Sequence, residues 1–307
     1  MNQSIIFLHI HKAGGTTLHD IILQNYKKSE SFYTEASRFR KSTYDFINLD
    51  NNEKKQYKII RGHMYFGIHK YLPQEATYIS MLRDPVERLI SNYFFYLKNN
   101  PQQRKKNFTL KDYILKSQEL KREDIVNNLQ TRLISGYDFH NKITPIGKTT
   151  REMLEQAKSN IINHFSVAGL TEYFDESLIL FHKKLGWKNL FYKKQNVNIN
   201  KVKKEISHDE LELIKKYNNL DIELYNFAKK RFFQQMKNEI EPHKDITTIF
   251  QMGNITWQNQ QNVILKKEKE IASQKKLIIS IKNSLIWKAT TPLRAVGKIF
   301  NLKNKGS

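Results

Sequence analysis

The stretch Phe7-Leu-His-Ile-His-Lys-Ala-Gly-Gly-Thr-Thr-Leu18 passes from apolar residues, through a basic and glycine-rich turn, into a helical pattern. That order of residue types builds a cradle for an anion. Lys12 supplies a charge, Thr16 and Thr17 supply hydroxyls, and Gly14 and Gly15 let backbone N–H groups approach a ligand closely. The lysine precedes the glycines and no Gly-Lys-Ser/Thr follows them, so this is not a triphosphate loop of the G-x-x-x-x-G-K-[ST] kind. Taken alone, the stretch is also compatible with an ordinary strand-to-helix turn. A second stretch, Arg83-Asp-Pro-Val-Glu-Arg-Leu-Ile-Ser91, follows the apolar run Thr77–Leu82. Arg83 therefore stands at the carboxyl end of a strand, the edge at which open α/β sheets bind ligands. Its guanidinium fork suits a phosphate, and the Ser91 hydroxyl, two turns into the next helix, can join it there. An N-terminal salt link and an unrelated helix serine would look the same.

These residues need elements to hold them. Ser4–His11 reads as a short buried strand, followed by a helix with Leu18, Ile21, Ile22 and Tyr26 on one face. Residues 28–56 are polar and read as irregular or short helix. Gln56–Ile60 and Thr77–Leu82 read as further strands. Asp84 is a candidate N-cap with Pro85 at N1 and Glu87 completing a capping box, and Val86, Leu89, Ile90, Tyr93, Phe94 and Leu97 form the apolar face. Residues 98–107 read as a basic loop. Helices are predicted over 110–118, 123–134, 150–163 and 208–237. His164–Gly169 reads as a strand, with Thr171 capping a helix that carries Phe174, Leu178, Phe181 and Leu185. Strands alternating with helices predict an α/β fold with a central parallel sheet flanked by helices.

With 307 residues the chain is long enough for one large domain plus an appendage, and 39% hydrophobic residues allow a packed core. Cysteine is absent, which excludes disulfides and thiolate metal sites and suits a reducing cytosol. The 52 Lys and Arg against 30 Asp and Glu leave a net charge of +22, a surface that attracts polyanions or serves solubility alone. No basic segment with an apolar run opens the sequence, so no signal peptide is expected, and no apolar stretch of about 18 residues predicts a spanning helix.

Together, His9–Leu18 and Arg83–Tyr93 resemble the two nucleotide-binding motifs of sulfotransferases that use 3′-phosphoadenosine 5′-phosphosulfate (PAPS). Those motifs read approximately H-I-P-K-T-G-G-T-T-L and R-D-P-V-E-R-x-x-S-x-Y. The resemblance is to carbohydrate sulfotransferases of the heparan sulfate 2-O-sulfotransferase type and their bacterial counterparts. It extends to Asn128-Leu-Gln-Thr-Arg-Leu-Ile-Ser-Gly136 and Val167-Ala-Gly-Leu-Thr-Glu-Tyr-Phe-Asp-Glu-Ser-Leu178, covering about residues 4–235. It implies a P-loop-NTPase-like sheet. It also implies that Lys12, Ala13, Gly14, Gly15, Thr16 and Thr17 hold the 5′-phosphosulfate, and that Arg83 and Ser91 hold the 3′-phosphate. Ala13 stands where the family commonly has threonine and His11 where it has proline, so one hydroxyl donor is missing and backbone N–H groups must substitute. The base of this branch lies in a Gly-His-hydrophobic segment. Here that is Arg61-Gly-His-Met-Tyr-Phe66, which nominates His63, and an imidazole near its ordinary ~6.5 would take the acceptor's proton near neutral pH. Lys12 would stabilise charge growing on the bridging oxygen. Arg132 is a further candidate for the nucleotide or an acidic acceptor, with an ion-pair arginine as the alternative. Glu172 and Asp175 read as capping or ion-pairing groups.

The resemblance implies a carbohydrate acceptor, no metal and no nucleic-acid partner. A nucleotide-dependent kinase would need a metal-binding acid and a Walker-type loop, neither of which is evident. A non-catalytic binder of anionic glycans would need only the basic surface. The domain division expected is 1–240 for the sulfotransferase domain and 241–307 for a basic helical tail. In the tail Trp257, Ile264, Ile271, Ile278 and Leu285 repeat every seven residues with mostly polar partners, and 257–307 holds eleven Lys or Arg against two acids. Such a helix can meet an anionic membrane or a partner helix, or pack on its own domain. Ser284–Arg294 resembles a terminal segment of bacterial surface-polysaccharide enzymes, which implies a cytoplasmic protein peripheral to the inner membrane face.

Overall fold

Five strands run parallel in this computed structural model, which describes residues 3–140, 143–192, 206–240 and 245–283. They are β1 (Ser4–Leu8), β2 (Ser31–Thr34), β3 (Ile59–Gly62), β4 (Ala76–Leu82) and β5 (Phe165–Leu170), and they lie in the order β2-β3-β1-β4-β5. All five residues of β1 are buried, as a strand covered on both faces requires. Ile5 and Leu8 stand opposite Ile59 and Gly62 on one side, and Ser4 and Phe7 opposite Ala76 and Ile79 on the other. The connection leaving β1 leads toward β2, and the one leaving β4 leads the other way to β5. That reversal opens a crevice between the carboxyl ends of β1 and β4, where ligands of such sheets bind.

The principal helices are α1 (Gly15–Asn25), α2 (Pro85–Asn99), α3 (Leu129–Ser135), α4 (Arg151–His164), α5 (Phe174–Leu185), α6 (Asn219–Ile240) and α7 (Asp245–Asn283), joined by shorter turns of helix. Leu18, Ile21 and Ile22 of α1 pack into the core with the strands and with Leu178 and Phe181 of α5. Leu89, Tyr93 and Tyr96 of α2 join a second cluster with Leu110, Tyr113, Ile114, Val126 and Ile214. Val86, Ile90 and Leu97 pack against this cluster, so the predicted face of α2 holds at every position but Phe94. Tyr96 turns inward at i+7 from Leu89, whereas Phe94 is exposed.

The α/β class with a helix-flanked parallel sheet is the one expected from the strand–helix alternation. Individual elements differ. β1 stops at Leu8 because the chain leaves the sheet to form the loop, although His9 N still donates to Gly62 O at 2.9 Å. β2 lies within the stretch read as irregular. The helix predicted over 123–134 breaks at Asn128, whose left-handed φ of 43° lets its Oδ1 accept from Leu220 N and Asp221 N at the start of α6. The helix over 208–237 breaks at buried Asn218. Thr171 does not cap α5; its hydroxyl donates to Leu82 O at 3.0 Å and ties β5 to the end of β4.

The chain divides into two units, Met1–Met252 and Gly253–Ser307. The second is helical through Asn283, and Ile264, Ile271 and Ile278 of the heptad stripe are exposed. Leu285 and the Ser284–Arg294 segment lie outside the described residues. Among the described residues no helix is long and apolar enough to cross a membrane.

Candidate active site

The loop from His9 to Gly14 is built by two left-handed residues. Lys12 has φ 66° and Gly14 has φ 74° and ψ 5°, and Gly14 is the N-cap of α1. No side chain caps this helix and no acid lies in its first turn. The first intrahelical donor is Leu18 N, bonding Gly14 O at 3.2 Å, so the N–H groups of Gly15, Thr16 and Thr17 remain for a ligand. Gly15 is required for a different reason. A Cβ there would lie 1.8 Å from His9 Nε2, because the imidazole packs directly under the loop. Ala13 is buried beneath the loop, Thr16 is exposed and Thr17 half-buried.

Lys12 has no carboxylate within ion-pair reach among the described residues. Its ammonium rests 4.3 Å from the centroid of the Phe95 ring. Burial, then the like charges of Arg83 and Lys98, pull its pKa below the ordinary lysine value. A cation held among cations, at the start of an uncapped helix, is arranged to receive an anion.

Arg83 follows β4 and meets this loop directly, its Nη1 donating to the Lys12 carbonyl at 3.1 Å. Its backbone is clamped from the other side. Arg83 N donates to Gln130 Oε1 at 3.0 Å and Gln130 Nε2 donates back to Arg83 O at 2.9 Å. Gln130 is in turn held by Asp221, which accepts from Gln130 N and Thr131 N at 3.1 and 2.7 Å. Burial pushes the Asp221 carboxyl up, against the pull of Arg88 and these two N–H groups. Neither Gln130 nor Asp221 is a candidate from sequence, and only the polar residues Asn127, Asn128, Gln130 and Thr131 around Leu129 hint at such a network.

Asp84 caps α2 as expected, accepting from Val86 N and Glu87 N. The reciprocal half of the capping box is not Glu87. Asp84 N donates to Glu172 Oε1 at 2.9 Å, and Glu87 lies 3.8 Å from Arg83. Ser91 is two turns along α2, half-buried and without a hydrogen-bonded protein partner among the described residues. It precedes Phe95 by one turn, so the two share the face that meets Lys12.

His63 follows β3 and is only 8% exposed. Its ring is sandwiched between His9, at 4.2 Å between centroids, and His11, at 3.8 Å. His63 Nδ1 lies 2.8 Å from the His9 carbonyl. A carbonyl can only accept, so Nδ1 carries the proton and Nε2 presents its lone pair. Burial brings His63 down to about 4, opposed weakly by the bond to His9. Burial likewise places His19 at about 3, with Arg61 and then His63 adding to it, and holds His9 and His11 well below the usual range. The ordinary imidazole value expected from sequence is therefore not met, because burial disfavours the charged form of each ring.

Arg132 is placed elsewhere. It is 1% exposed, pairs with Asp138 through both Nε and Nη2, and donates from Nη1 to Asn127 O at 3.3 Å. This is the interior ion pair of the two arrangements open from sequence. A cleft of about 460 Å³ lined by Phe66, Tyr137, His140 and Gln156 also contains none of the nominated residues, so the chemistry-bearing groups gather at the open sheet edge rather than in that cavity.

A family model described as Galactose-3-O-sulfotransferase matches residues 1–246. Galactose-3-O-sulfotransferase 2 of Mus musculus is 25% identical over 263 residues, covering 78% of this chain and 64% of that protein. Heparan-sulfate 6-O-sulfotransferase 1 of Homo sapiens is 25% identical over 284 residues, covering 77% and 68%. Galactosylceramide sulfotransferase of Homo sapiens is 23% identical over 249 residues, covering 76% and 58%. The chain thus spans less than two thirds of the first and last of these relatives. The matched region takes in all five strands, the glycine-rich loop, Arg83 and His63, and the chain belongs to the galactose-3-O-sulfotransferase family.

Proposed function

We propose that this protein transfers a sulfuryl group from PAPS to a hydroxyl of a carbohydrate acceptor, a precursor of a surface or extracellular polysaccharide. The observation that carries the reading is the junction of Arg83 with the carbonyl of Lys12, which sets two anion-binding elements side by side at one crevice. The residues fit the donor's two charged ends. The free N–H groups of Gly15 to Thr17 and the Lys12 ammonium suit the 5′ end, and Arg83 with Ser91 suits the 3′-phosphate. The donor supplies an electrophilic sulfur bonded to a phosphate that leaves. His63 Nε2 takes the acceptor hydroxyl proton as the new O–S bond forms, and Lys12 meets the charge released on the departing oxygen. Arg132 serves the fold from the interior.

The test has two arms. At 100 times its Kd, 3′-phosphoadenosine 5′-phosphate should stabilise the protein by about 2.7 kcal/mol in thermal unfolding. Labelled sulfate should pass from PAPS to at least one glycan in a panel of galactosides and heparan-type oligosaccharides. No shift and no transfer overturns the proposal.

The acid limb of kcat/KM reports the free enzyme and is expected near pH 4, the value to which burial brings His63. An anion bound nearby favours imidazolium, so the limb in kcat lies at higher pH. Stability moves in the same direction. The unfolded histidines titrate near ~6.5, so between that pH and the depressed folded values the unfolded chain binds more protons. Stability is full above about 6.5 and lost as pH falls toward 4. Profiles of kcat/KM and Tm measured together check this; an acid limb at 6.5 in the folded free enzyme sinks it.

The proposal extends to the tail, whose exposed isoleucines and lysines suit an anionic membrane surface or a partner helix at the cytoplasmic face. Equal membrane partitioning of the full chain and a chain ending at residue 252 would count against it.

A further inference from the structure

Phe95 has no packing reason to be where it is. It lies on α2 with half of its surface exposed, and it belongs to neither hydrophobic cluster of the protein. Its neighbours at i−4 and i+3 are Ser91 and Lys98, so it sits in a polar stripe of the helix. What covers it is the Lys12 ammonium, 4.3 Å from the ring centroid. The other charges acting on Lys12 are the cations Arg83 and Lys98, so the aromatic face is the only stabilising group beside this ammonium among the contacts of the described residues.

Resting on the sulfuryl-transfer reading, we propose that Phe95 is the platform on which the acceptor's sugar ring stacks, and that Lys12 covers this platform until a bound anion draws the ammonium away. A pyranose presents a face of polarised C–H bonds that suits the negative face of an aromatic ring, as the ammonium does. The two therefore compete for one surface. A contact between a cation and an exposed ring is weak, whereas charge-assisted hydrogen bonds to phosphate-type oxygens are strong, so the donor wins Lys12 and bares the ring. Binding is consequently ordered: the donor prepares the acceptor site. By linkage, the acceptor strengthens donor binding by the same factor. A sugar is the occupant argued here because the ring stands beside the residue that would meet the transferred group, and the acceptor hydroxyl must approach that group.

The test uses the full chain, 3′-phosphoadenosine 5′-phosphate as donor-site probe, and the glycan that wild type sulfates best. Phe95→Ala should raise the acceptor KM about tenfold, while its affinity for the probe is equal to or tighter than that of wild type. Phe95→Trp should keep an acceptor KM close to wild type. In wild type the probe should tighten glycan binding several-fold, measured by calorimetry, and in Phe95→Ala this coupling should vanish. An unchanged acceptor KM in Phe95→Ala overturns the role of Phe95. Parallel losses of probe affinity and acceptor affinity, with a lowered Tm, would make the residue structural and also overturn it. A wild type that neither binds the probe nor sulfates any glycan removes the reading beneath it, a result distinct from both.

Discussion

Replacing His63 by alanine is expected to lower sulfuryl transfer by about 10²–10⁴-fold, the range a positioned general base supplies. The side chain is buried between His9 and His11 and bonds the His9 carbonyl, so alanine also leaves a gap and an unmet acceptor. His63→Asn separates the two effects. Its amide can donate to the same carbonyl as Nδ1 does, yet it has no basic nitrogen. Both variants should lose turnover, whereas the asparagine variant should keep its Tm and its affinity for 3′-phosphoadenosine 5′-phosphate. Transfer of labelled sulfate measures the first and thermal shift the second. Near-normal turnover in a folded His63→Asn protein would sink the assignment.

The second large effect is on stability. Asp138→Ala should cost about 3–5 kcal/mol, because it strands the Arg132 guanidinium in the interior without its partner. Asp138 also accepts from Thr144 N, and its backbone carbonyl accepts from Arg40 Nη2 at 3.0 Å, so the loop after α3 is fastened from several directions. Arg132→Met combined with Asp138→Ala removes the stranded charge and should recover much of the loss. Urea unfolding of the three variants checks this; an Asp138→Ala protein within 1 kcal/mol of wild type, on the order of a solvent-exposed pair, would refute it.

The parts of this protein legible in its sequence are those where local chemistry and global placement agree. The run from Phe7 to Leu18 had to be strand, turn and helix, because its apolar, glycine and periodic segments each permit little else. Asp84 and Pro85 marked a helix start that the structure keeps. What was hidden depends on contacts distant in sequence. β2 is a four-residue edge strand whose pairing with β3 defines it, and no periodicity of that length stands out. Asn128 and Asn218 interrupt helical patterns because their side chains satisfy backbone groups of other elements. Glu172 serves the N-cap amide 88 positions away in place of Glu87. Arg132 could not be assigned from its neighbours, because its partner Asp138 becomes adjacent only when the chain turns at Gly136. The depressed histidines likewise reflect burial and, for His9, His11 and His19, the like charges beside them, which no single residue type announces.

The bond from Arg83 to the Lys12 carbonyl has one more consequence. On the proposed reading, it fastens two charge-reading parts side by side, so the crevice would gauge how many phosphates a nucleotide carries and how far apart they sit. A nucleotide with one charged end satisfies half of the gauge and leaves the other half to water. If the donor is the proposed one, discrimination among adenine nucleotides would begin with counting, before the base or the sugar is read at all.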